Sequence, residues 1–175
     1  MTFLDKTNIW PVSWLPIVDE ISVGFKLDLD GIHGLPHWSR VLVNGLRLAE
    51  QTGANRPVIV AFALLHDCQR ENDGYDPEHG IRGAELGRLM RSRLPSLSDI
   101  EFSLFYEASA YHSDGFLDGD VTVQTCWDAD RLDLYRVGIR PNPNFLCTEA
   151  ARQPDILEWA VGRSTALYTE RSDGP

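Results

Sequence analysis

The order of apolar and polar residues along the chain is helical nearly throughout. The longest apolar run, Val-Ile-Val-Ala-Phe-Ala-Leu-Leu at 58–65, follows Pro57, and proline is tolerated in the first turn of a helix. A helix that is apolar on every side belongs at the centre of a bundle. The run is far shorter than the ~18 apolar residues of a membrane-spanning helix. We therefore predict an all-α helical bundle that does not enter a membrane.

Start and stop signals predict further helices on both sides of this central helix. The signals are prolines in a first turn, glycine after a last turn, and Ser or Asp caps followed by an acid. The predicted helices run from Pro36 to Gly53, from Asp76 to about Pro95, from Ser98 to about His112, from Asp120 to Gly138, and over 156–167. The turn-rich sequence Pro-Asn-Pro-Asn at 141–144 separates the last two.

The first thirty residues differ from the rest of the chain. They combine two tryptophans and two prolines at 10–16 with a short amphipathic stretch at 17–21, which is typical of a segment that packs over a bundle. No internal repeat or linker interrupts the sequence. We predict a single domain over 1–175, made of the packing segment 1–30, a core at 31–138, and a C-terminal loop and helix at 139–175.

The composition is that of an ordinary globular domain. With 175 residues, 43% of them hydrophobic and 24% charged, the chain can bury a core without disulfides or structural metals. Its net charge of -10 argues against a long nucleic acid as partner, although a small anion can still bind at a locally positive metal site. Cys68, Cys126 and Cys147 are odd in number and widely spaced, which predicts buried or idle thiols. The absence of a secretory signal pattern predicts a cytoplasmic protein. The sequence does not decide between a monomer and a homodimer.

Asp130 is the strongest physical indication of a functional site. Five of its six helical neighbours at three, four and seven residues are apolar; the six are Val123, Cys126, Trp127, Asp133, Leu134 and Val137. A carboxylate on such a stripe is costly unless it is paired, hydrogen-bonded or bound to a metal, so we expect a cation to face it. The sequence leaves open whether this cation is an arginine side chain or a metal ion. Asp128 has a more mixed set of neighbours, and we expect it to face solvent.

His66 and Asp67 end the apolar central helix, so both polar side chains leave the core at one buried point. The alternative to a functional role is that these residues only end the helix, since the negative end of the helix dipole favours a histidine there. The surrounding order of residues favours a site. His37-Trp-Ser-Arg40-Val41, Leu64-Leu65-His66-Asp67 and Asp128-Ala-Asp130-Arg131-Leu132-Asp133 together resemble the H…HD…D motif of the HD-domain superfamily of metal-dependent phosphohydrolases, over about 31–138.

The resemblance implies a helical HD bundle with His37, His66, Asp67 and Asp130 as metal ligands. Two imidazoles and two carboxylates suit Mn, Fe, Co, Ni or Zn. Such a metal activates water for phosphoester or phosphoanhydride hydrolysis. The implied substrate is a small anionic phosphorylated metabolite, with a nucleotide as the first candidate. Glu71-Asn72 stands where related guanosine-tetraphosphate hydrolases have Glu-Asp, which argues against that substrate.

Two further histidines, His79 and His112, lie between the doublet and the last aspartate, where two-metal HD proteins are similar in carrying extra ligands. We predict that they complete a second metal position beside a shared Asp67. The alternatives are a surface residue for His79 and a helix-end residue for His112. We expect His33, in a Gly-Ile-His-Gly loop, to be structural.

Several charged residues near these segments are candidates for catalysis and substrate binding. Arg40, Arg70 and Arg131 flank the ligand segments and either contact substrate oxygens or form ion pairs. Asp67, Arg70 and Asp73 are the predicted catalytic residues. Asp73 and Asp76 lie in the loop after the doublet, where they either hold a metal or water or serve the turn and the next helix start.

Two other classes of protein remain open from the sequence. A few members of the same superfamily look similar in ligand set but use paired iron for oxidation, which implies a di-iron oxygenase as an alternative. A non-catalytic module that binds a ligand or a partner protein is the other, and the complete ligand set argues against it.

Overall fold

The computed structural model describes residues 6–95 and 97–172, and all regular structure in these ranges is helical. The helices are α1 (Lys6–Ile9), α2 (Leu15–Gly24), α3 (Leu35–Thr52), α4 (Arg56–Leu65), α5 (His79–Leu89), α6 (Asp99–Tyr111), α7 (Val121–Arg131), α8 (Glu149–Arg152) and α9 (Pro154–Ser172). Short 3-10 turns occupy Val12–Trp14, Leu134–Val137 and Pro143–Phe145. The prediction of an all-α fold is confirmed. Within the described ranges, every helix is too short or too polar to cross a membrane.

Helix α4 forms the centre of the bundle, as its sequence predicts. Every residue from Val58 to Leu65 is buried. Helices α3, α6 and α7 pack around α4, and α5 lies against both α4 and α6. A second, smaller apolar cluster joins α8 and α9 to α3 and the end of α7 through Leu48, Leu132, Leu146 and Ile156. The apolar surface of α4 is therefore covered on all sides, and the polar residues that follow it emerge inside the bundle.

Most of the predicted helix starts and ends are present. The Ser98 hydroxyl accepts the Glu101 N–H and the Glu101 carboxylate accepts the Ser98 N–H, which is the predicted capping box. Asp120 caps α7 through the Thr122 N–H, and Gly53 ends α3 in the left-handed conformation with φ 72°. Trp10 and Trp14 are buried, and the Trp10 indole donates to the Ser39 hydroxyl.

The structure corrects three boundaries. Asp76 does not cap α5, because its carboxylate accepts the Glu71 N–H and pairs with Arg82 instead. Helix α5 starts at His79 and ends at Leu89, short of Pro95. Helix α7 ends at Arg131, and a 3-10 turn continues the chain to Gly138. The predicted last helix, 156–167, lies inside a longer α9. Residues 1–5 of the predicted packing segment and 173–175 of the predicted C-terminal region lie outside the described residues.

Three glycines let α5 approach its neighbours closely. A Cβ at Gly83 would lie 2.2 Å from the Leu65 carbonyl oxygen, and one at Gly80 would lie 2.4 Å from the Ser109 carbonyl oxygen. At Gly87 it would meet the Phe105 ring at 2.5 Å. The spacing of three and four residues puts these glycines on one face of the helix. This close packing brings the first residue of α5, His79, against the ends of α4 and α6.

We expect Gly83→Ala to destabilise the protein by about 1–3 kcal/mol, because the new methyl group meets rigid backbone and α5 must move. Urea unfolding would measure the change. Gly162→Ala in α9 is the matched control, since its Cβ meets nothing within 4 Å and the site is exposed. That substitution should stabilise the helix by roughly 0.5–1 kcal/mol. If the free energy of unfolding changed by similar amounts in both variants, the close packing of α5 would not be what requires glycine at position 83.

Candidate metal centre

The ends of five helices meet at one buried point and carry all six residues predicted as metal ligands. His37 lies in the first turn of α3, and His66 and Asp67 follow α4 directly. His79 is the first residue of α5, His112 follows α6, and Asp130 lies in the last turn of α7. All are buried except Asp130, whose side chain is 15% exposed. The structure thus brings together residues as much as 93 positions apart (130 − 37).

Three of these residues, with one oxygen of Asp67, form what we call the first half-site. The Nε2 atoms of His37 and His66 are 3.1 Å apart. Asp130 Oδ1 lies 3.4 Å from His37 Nε2 and 3.8 Å from His66 Nε2. Asp67 Oδ2 lies 3.5 Å from His37 Nε2. Two imidazoles and two carboxylates therefore face a common point.

The second half-site consists of His79, His112 and the other oxygen of Asp67. The two Nε2 atoms are 2.8 Å apart. Asp67 Oδ1 lies 3.0 Å from His79 Nε2 and 3.6 Å from His112 Nε2. Asp67 therefore stands between the half-sites and turns one oxygen toward each.

Hydrogen bonds on the outer side of the histidines fix their tautomers. The Nδ1 atoms of His66 and His112 bond the Phe62 and Ser109 carbonyl oxygens at 3.0 and 2.8 Å. His79 Nδ1 bonds the Asp76 carbonyl oxygen in the same way. A carbonyl oxygen only accepts, so each Nδ1 carries a proton, and in the neutral imidazole the lone pair is then on Nε2. The inner lone pairs face one another at hydrogen-bond distance, an arrangement that a cation between them stabilises.

The outer partner of His37 is a carboxylate. Asp133 Oδ2 accepts from His37 Nδ1 at 2.7 Å, and the same carboxylate accepts from Arg40 and from the Ser164 hydroxyl. Burial would raise the pKa of Asp133, but His37 and Arg40 outweigh it and hold that pKa well below its usual range. In the sequence, Asp133 is distinguished only as a helical neighbour of Asp130. The one sequence feature that could have indicated its role is its place in the Asp-Ala-Asp-Arg-Leu-Asp segment, which also contains Asp130.

The residue types and their charges fit a transition metal. Asp67 Oδ1 and Asp130 Oδ1 are buried without a hydrogen-bond partner, which is costly unless a cation neutralises them. Burial lowers the pKa of His66 to about 3, so its imidazole is neutral. Burial opposes the ionised form of Asp67, yet the imidazoles around it hold the pKa of Asp67 well below its usual range. Ligands bound at about 2.0–2.2 Å lie roughly 3–3.6 Å from one another, close to the separations described above.

The three predicted substrate-binding arginines have different surroundings. Arg70 Nη1 lies 3.1 Å from His79 Nε2 and 3.5 Å from Asp67 Oδ1, inside the cluster. Arg40 is buried behind His37, where Nε and Nη2 bond Asp133 at 2.5 and 2.9 Å. Arg131 donates to the Phe116 and Phe145 carbonyl oxygens and so ties two loops together. The structure gives Arg40 and Arg131 supporting contacts, and Arg136, which sequence reasoning missed, faces Asp130 at 3.9 Å.

The structure overturns the expectation that Asp128 faces solvent. Asp128 is fully buried, and its carboxylate accepts from the Cys147 N–H, the Thr148 N–H and the Thr148 hydroxyl at 2.7–2.8 Å. Burial raises its pKa. The donors come from a loop about twenty residues further along the chain. The helical neighbours of Asp128 within seven positions do not include these donors, so they could not predict its burial.

Two other residues differ from their expected surroundings. Asp73, a predicted catalytic residue, is exposed in the loop 71–75 rather than buried with the cluster. His33, predicted to be structural, bonds Asp67 Oδ2 through Nδ1 at 2.9 Å. All five histidines of the chain therefore belong to this centre. No periodic pattern marks His33, because it precedes the first turn of α3.

The three cysteines match the prediction of idle thiols. Cys68 and Cys126 are buried and Cys147 is half-buried, and all three are free. Burial raises the pKa of Cys68 and of Cys147 to about 12, so neither is a thiolate at neutral pH. The metal centre is therefore built without sulfur.

Comparison with known proteins supports this fold. No family model and no curated protein matches the sequence. Among solved structures, the chain is similar to one from an uncultured Thermotogales bacterium described as a predicted HD superfamily hydrolase. The TM-score is 0.65 at 23% sequence identity, over 98% of this chain and 97% of the other. The protein has the HD-domain fold, and buried His and Asp clusters that can hold a metal lie where its helix ends meet.

Proposed function

We propose that the protein is a metal-dependent phosphohydrolase that acts on a small anionic phosphorylated metabolite, with a nucleotide as the first candidate. One observation carries the proposal. Four imidazole Nε2 atoms and two carboxylates converge in one buried cluster, and two of the carboxylate oxygens lack a hydrogen-bond partner. The likeness to a structure described as a predicted HD superfamily hydrolase supports the same reaction class.

A divalent metal in this centre, Mn, Fe, Co, Ni or Zn, would lower the pKa of a bound water to roughly 7 and polarise a phosphoryl oxygen. The protein's own contribution is to hold the ligands in place. The outer hydrogen bonds keep each imidazole in the tautomer that presents Nε2. In the reaction, the oxygen of water forms a bond to phosphorus, the ester or anhydride P–O bond breaks, and the leaving oxygen takes up a proton.

The arginines around the centre suit an anionic substrate. Arg70 and Arg136 bring two guanidinium groups next to the carboxylates of Asp67 and Asp130. Guanidinium groups bind phosphate oxygens through paired hydrogen bonds. They supply local positive charge in a chain whose net charge is -10.

The burial of the ligands favours a small reacting group. Five of the six ligand side chains are at most 5% exposed, whereas Asp130 is 15% exposed and lies beside Arg136. We propose that the substrate phosphate approaches along Asp130 and Arg136. Because the ligands are buried, we propose that a terminal phosphoryl group, and not a polymer backbone, reaches them.

A hydrolysis screen tests the function. Metal-free protein would be loaded separately with Mn, Fe, Co, Ni and Zn and assayed for phosphate release from nucleotides and sugar phosphates. We expect release that depends on the metal, stops with a chelator and is absent in His66→Ala. Oxygen consumption by the iron-loaded protein, without phosphate release from any substrate, would instead identify the di-iron oxygenase.

We also propose that the centre accommodates two metal ions, with Asp67 shared between them. The support is the division of its two oxygens between the half-sites. Two ions about 3.5–4 Å apart can stabilise both the attacking and the leaving oxygen of a phosphoryl transfer. At saturating metal we expect two ions per chain in the wild type and one in His79→Ala or His112→Ala, measured by elemental analysis. A wild type that saturates at one ion, unaltered by either substitution, would exclude the second position.

A further inference from the structure

The two half-sites differ in the charges around them. The first half-site has the carboxylates of Asp130 and Asp67, and Asp133 stands behind His37. Two guanidinium groups offset part of this negative charge, because Arg136 lies 3.9 Å from Asp130 and Arg40 pairs with Asp133, but the three carboxylates outnumber them. The second half-site has one carboxylate oxygen, Asp67 Oδ1, and a guanidinium group lies beside it. A cation is therefore attracted more strongly to the first half-site.

That guanidinium belongs to Arg70, whose three nitrogen atoms have separate partners. Nη2 donates to the Gly74 carbonyl oxygen at 2.8 Å, and Nε donates to the Asn72 carbonyl oxygen at 3.4 Å. Nη1 lies 3.1 Å from His79 Nε2. Because His79 Nδ1 carries the proton, the Nη1 group donates to the Nε2 lone pair. This is the lone pair with which His79 would bind a metal.

We propose that Arg70 is a built-in cation of the second half-site that competes with the second metal ion. The protein by itself then holds one ion tightly in the first half-site and a second ion weakly. The inference rests on the metal centre of the proposed function, and it does not depend on which substrate is hydrolysed.

The position of Arg70 explains how the competition can be released. Its side chain is only 9% exposed, but both carbonyl groups that hold it belong to the exposed loop 71–75. A phosphate oxygen is a stronger acceptor for a guanidinium group than a neutral imidazole is. An anionic substrate that takes over the Nη1 group would leave the His79 lone pair for the metal. Occupation of the second half-site would thus be coupled to substrate binding.

Metal titration tests the proposal without any substrate. Metal-free wild type and Arg70→Met would be titrated with Co²⁺ by calorimetry, and the number of ions checked by elemental analysis. In the wild type we expect a second ion to bind at least about tenfold more weakly than the first. In Arg70→Met the second affinity should rise at least about tenfold while the first stays the same. Two equal affinities in the wild type, or a second affinity unchanged in Arg70→Met, would overturn the proposal.

Two further variants separate charge from folding effects. Arg82→Met removes an arginine that holds the same loop, through Asp76 and the Gln69 carbonyl oxygen, but has no bond to a metal ligand. We expect it to leave the second affinity unchanged, and an equal rise there would refute the role of Arg70. Arg70→Lys keeps the positive charge, so its second site should stay weak even if Arg70→Met is poorly folded. A tight second site in Arg70→Lys would also count against the proposal.

The result also distinguishes this inference from the one on which it rests. If neither the wild type nor Arg70→Met binds Co²⁺, the metal centre itself is wrong. If both bind one ion with the same affinity, the metal centre stands and the competition by Arg70 is wrong.

Discussion

Asp67→Ala is expected to bind no transition metal and to lose at least about 10³-fold in phosphate release, because the substitution removes a carboxylate oxygen from each half-site. His66→Ala should have the same result, since its Nε2 atom lies 3.1 Å from that of His37 at the centre of the first half-site. Elemental analysis after dialysis would measure the metal, and a phosphate assay the activity. Far-UV circular dichroism should remain helical in both variants, because α4 ends before these residues.

Cys68→Ala is the matched control for both substitutions. Cys68 follows the doublet directly and is equally buried, but its thiol donates to the Leu65 carbonyl oxygen and not to the cluster. We expect this variant to keep its metal and its activity. Normal metal content in both Asp67→Ala and His66→Ala would contradict the site assignment.

The second large effect concerns two aspartates that lie two positions apart on α7. Asp130→Asn should weaken metal binding at the first half-site by about 100-fold, because the charged oxygen there faces two imidazoles and has no hydrogen-bond partner. The stability of the metal-free protein should change little, since Asp130 forms no structural hydrogen bond through that oxygen. Calorimetric titration with Co²⁺ and urea unfolding would measure the two quantities.

Asp128→Asn should have the opposite pair of effects. Its carboxylate accepts three hydrogen bonds from Cys147 and Thr148, and an amide nitrogen cannot accept. We expect the free energy of unfolding to fall by about 1–3 kcal/mol while metal affinity is retained. If Asp128→Asn lost the metal and Asp130→Asn lost only stability, the assignment of the first half-site to Asp130 would be wrong.

The sequence determined the helices and the order of the ligands. The apolar run 58–65 identified the central helix, because burial on all sides leaves no polar position in it. Gly53 and the Ser98–Glu101 capping box identified helix ends, since they act through hydrogen bonds and backbone conformations within a few residues. The motif His37, His66-Asp67, Asp130 identified side chains that the structure places together. These are local signals, and they can be read without knowing which helices are neighbours.

The tertiary structure alone decided what surrounds those ligands. Asp133 bonds His37 from 96 positions away, and His33 bonds Asp67 from 34 positions away. Asp128 is buried because a loop 19–20 positions further along the chain folds back over it. Its mixed neighbours within α7 predicted exposure, because helical phase describes a single helix and not what covers it. Arg131 directly follows Asp130 in the sequence and was a candidate for substrate oxygens or an ion pair, but it bonds two loop carbonyl groups, and Arg136 faces Asp130 instead.

The division of Asp67 between two half-sites also needed the fold. The two oxygens of a carboxylate are chemically equivalent, so the sequence cannot distinguish them. They differ in the structure because Oδ2 faces His37 and Oδ1 faces His79. The placement of Arg70 against His79 depends in turn on three glycines that let α5 pack closely. The sequence by itself determined which residue types are available and which helices carry them. The packing of the helix ends decided which atoms face each other, because the distances between those atoms are set by contacts that no single segment contains.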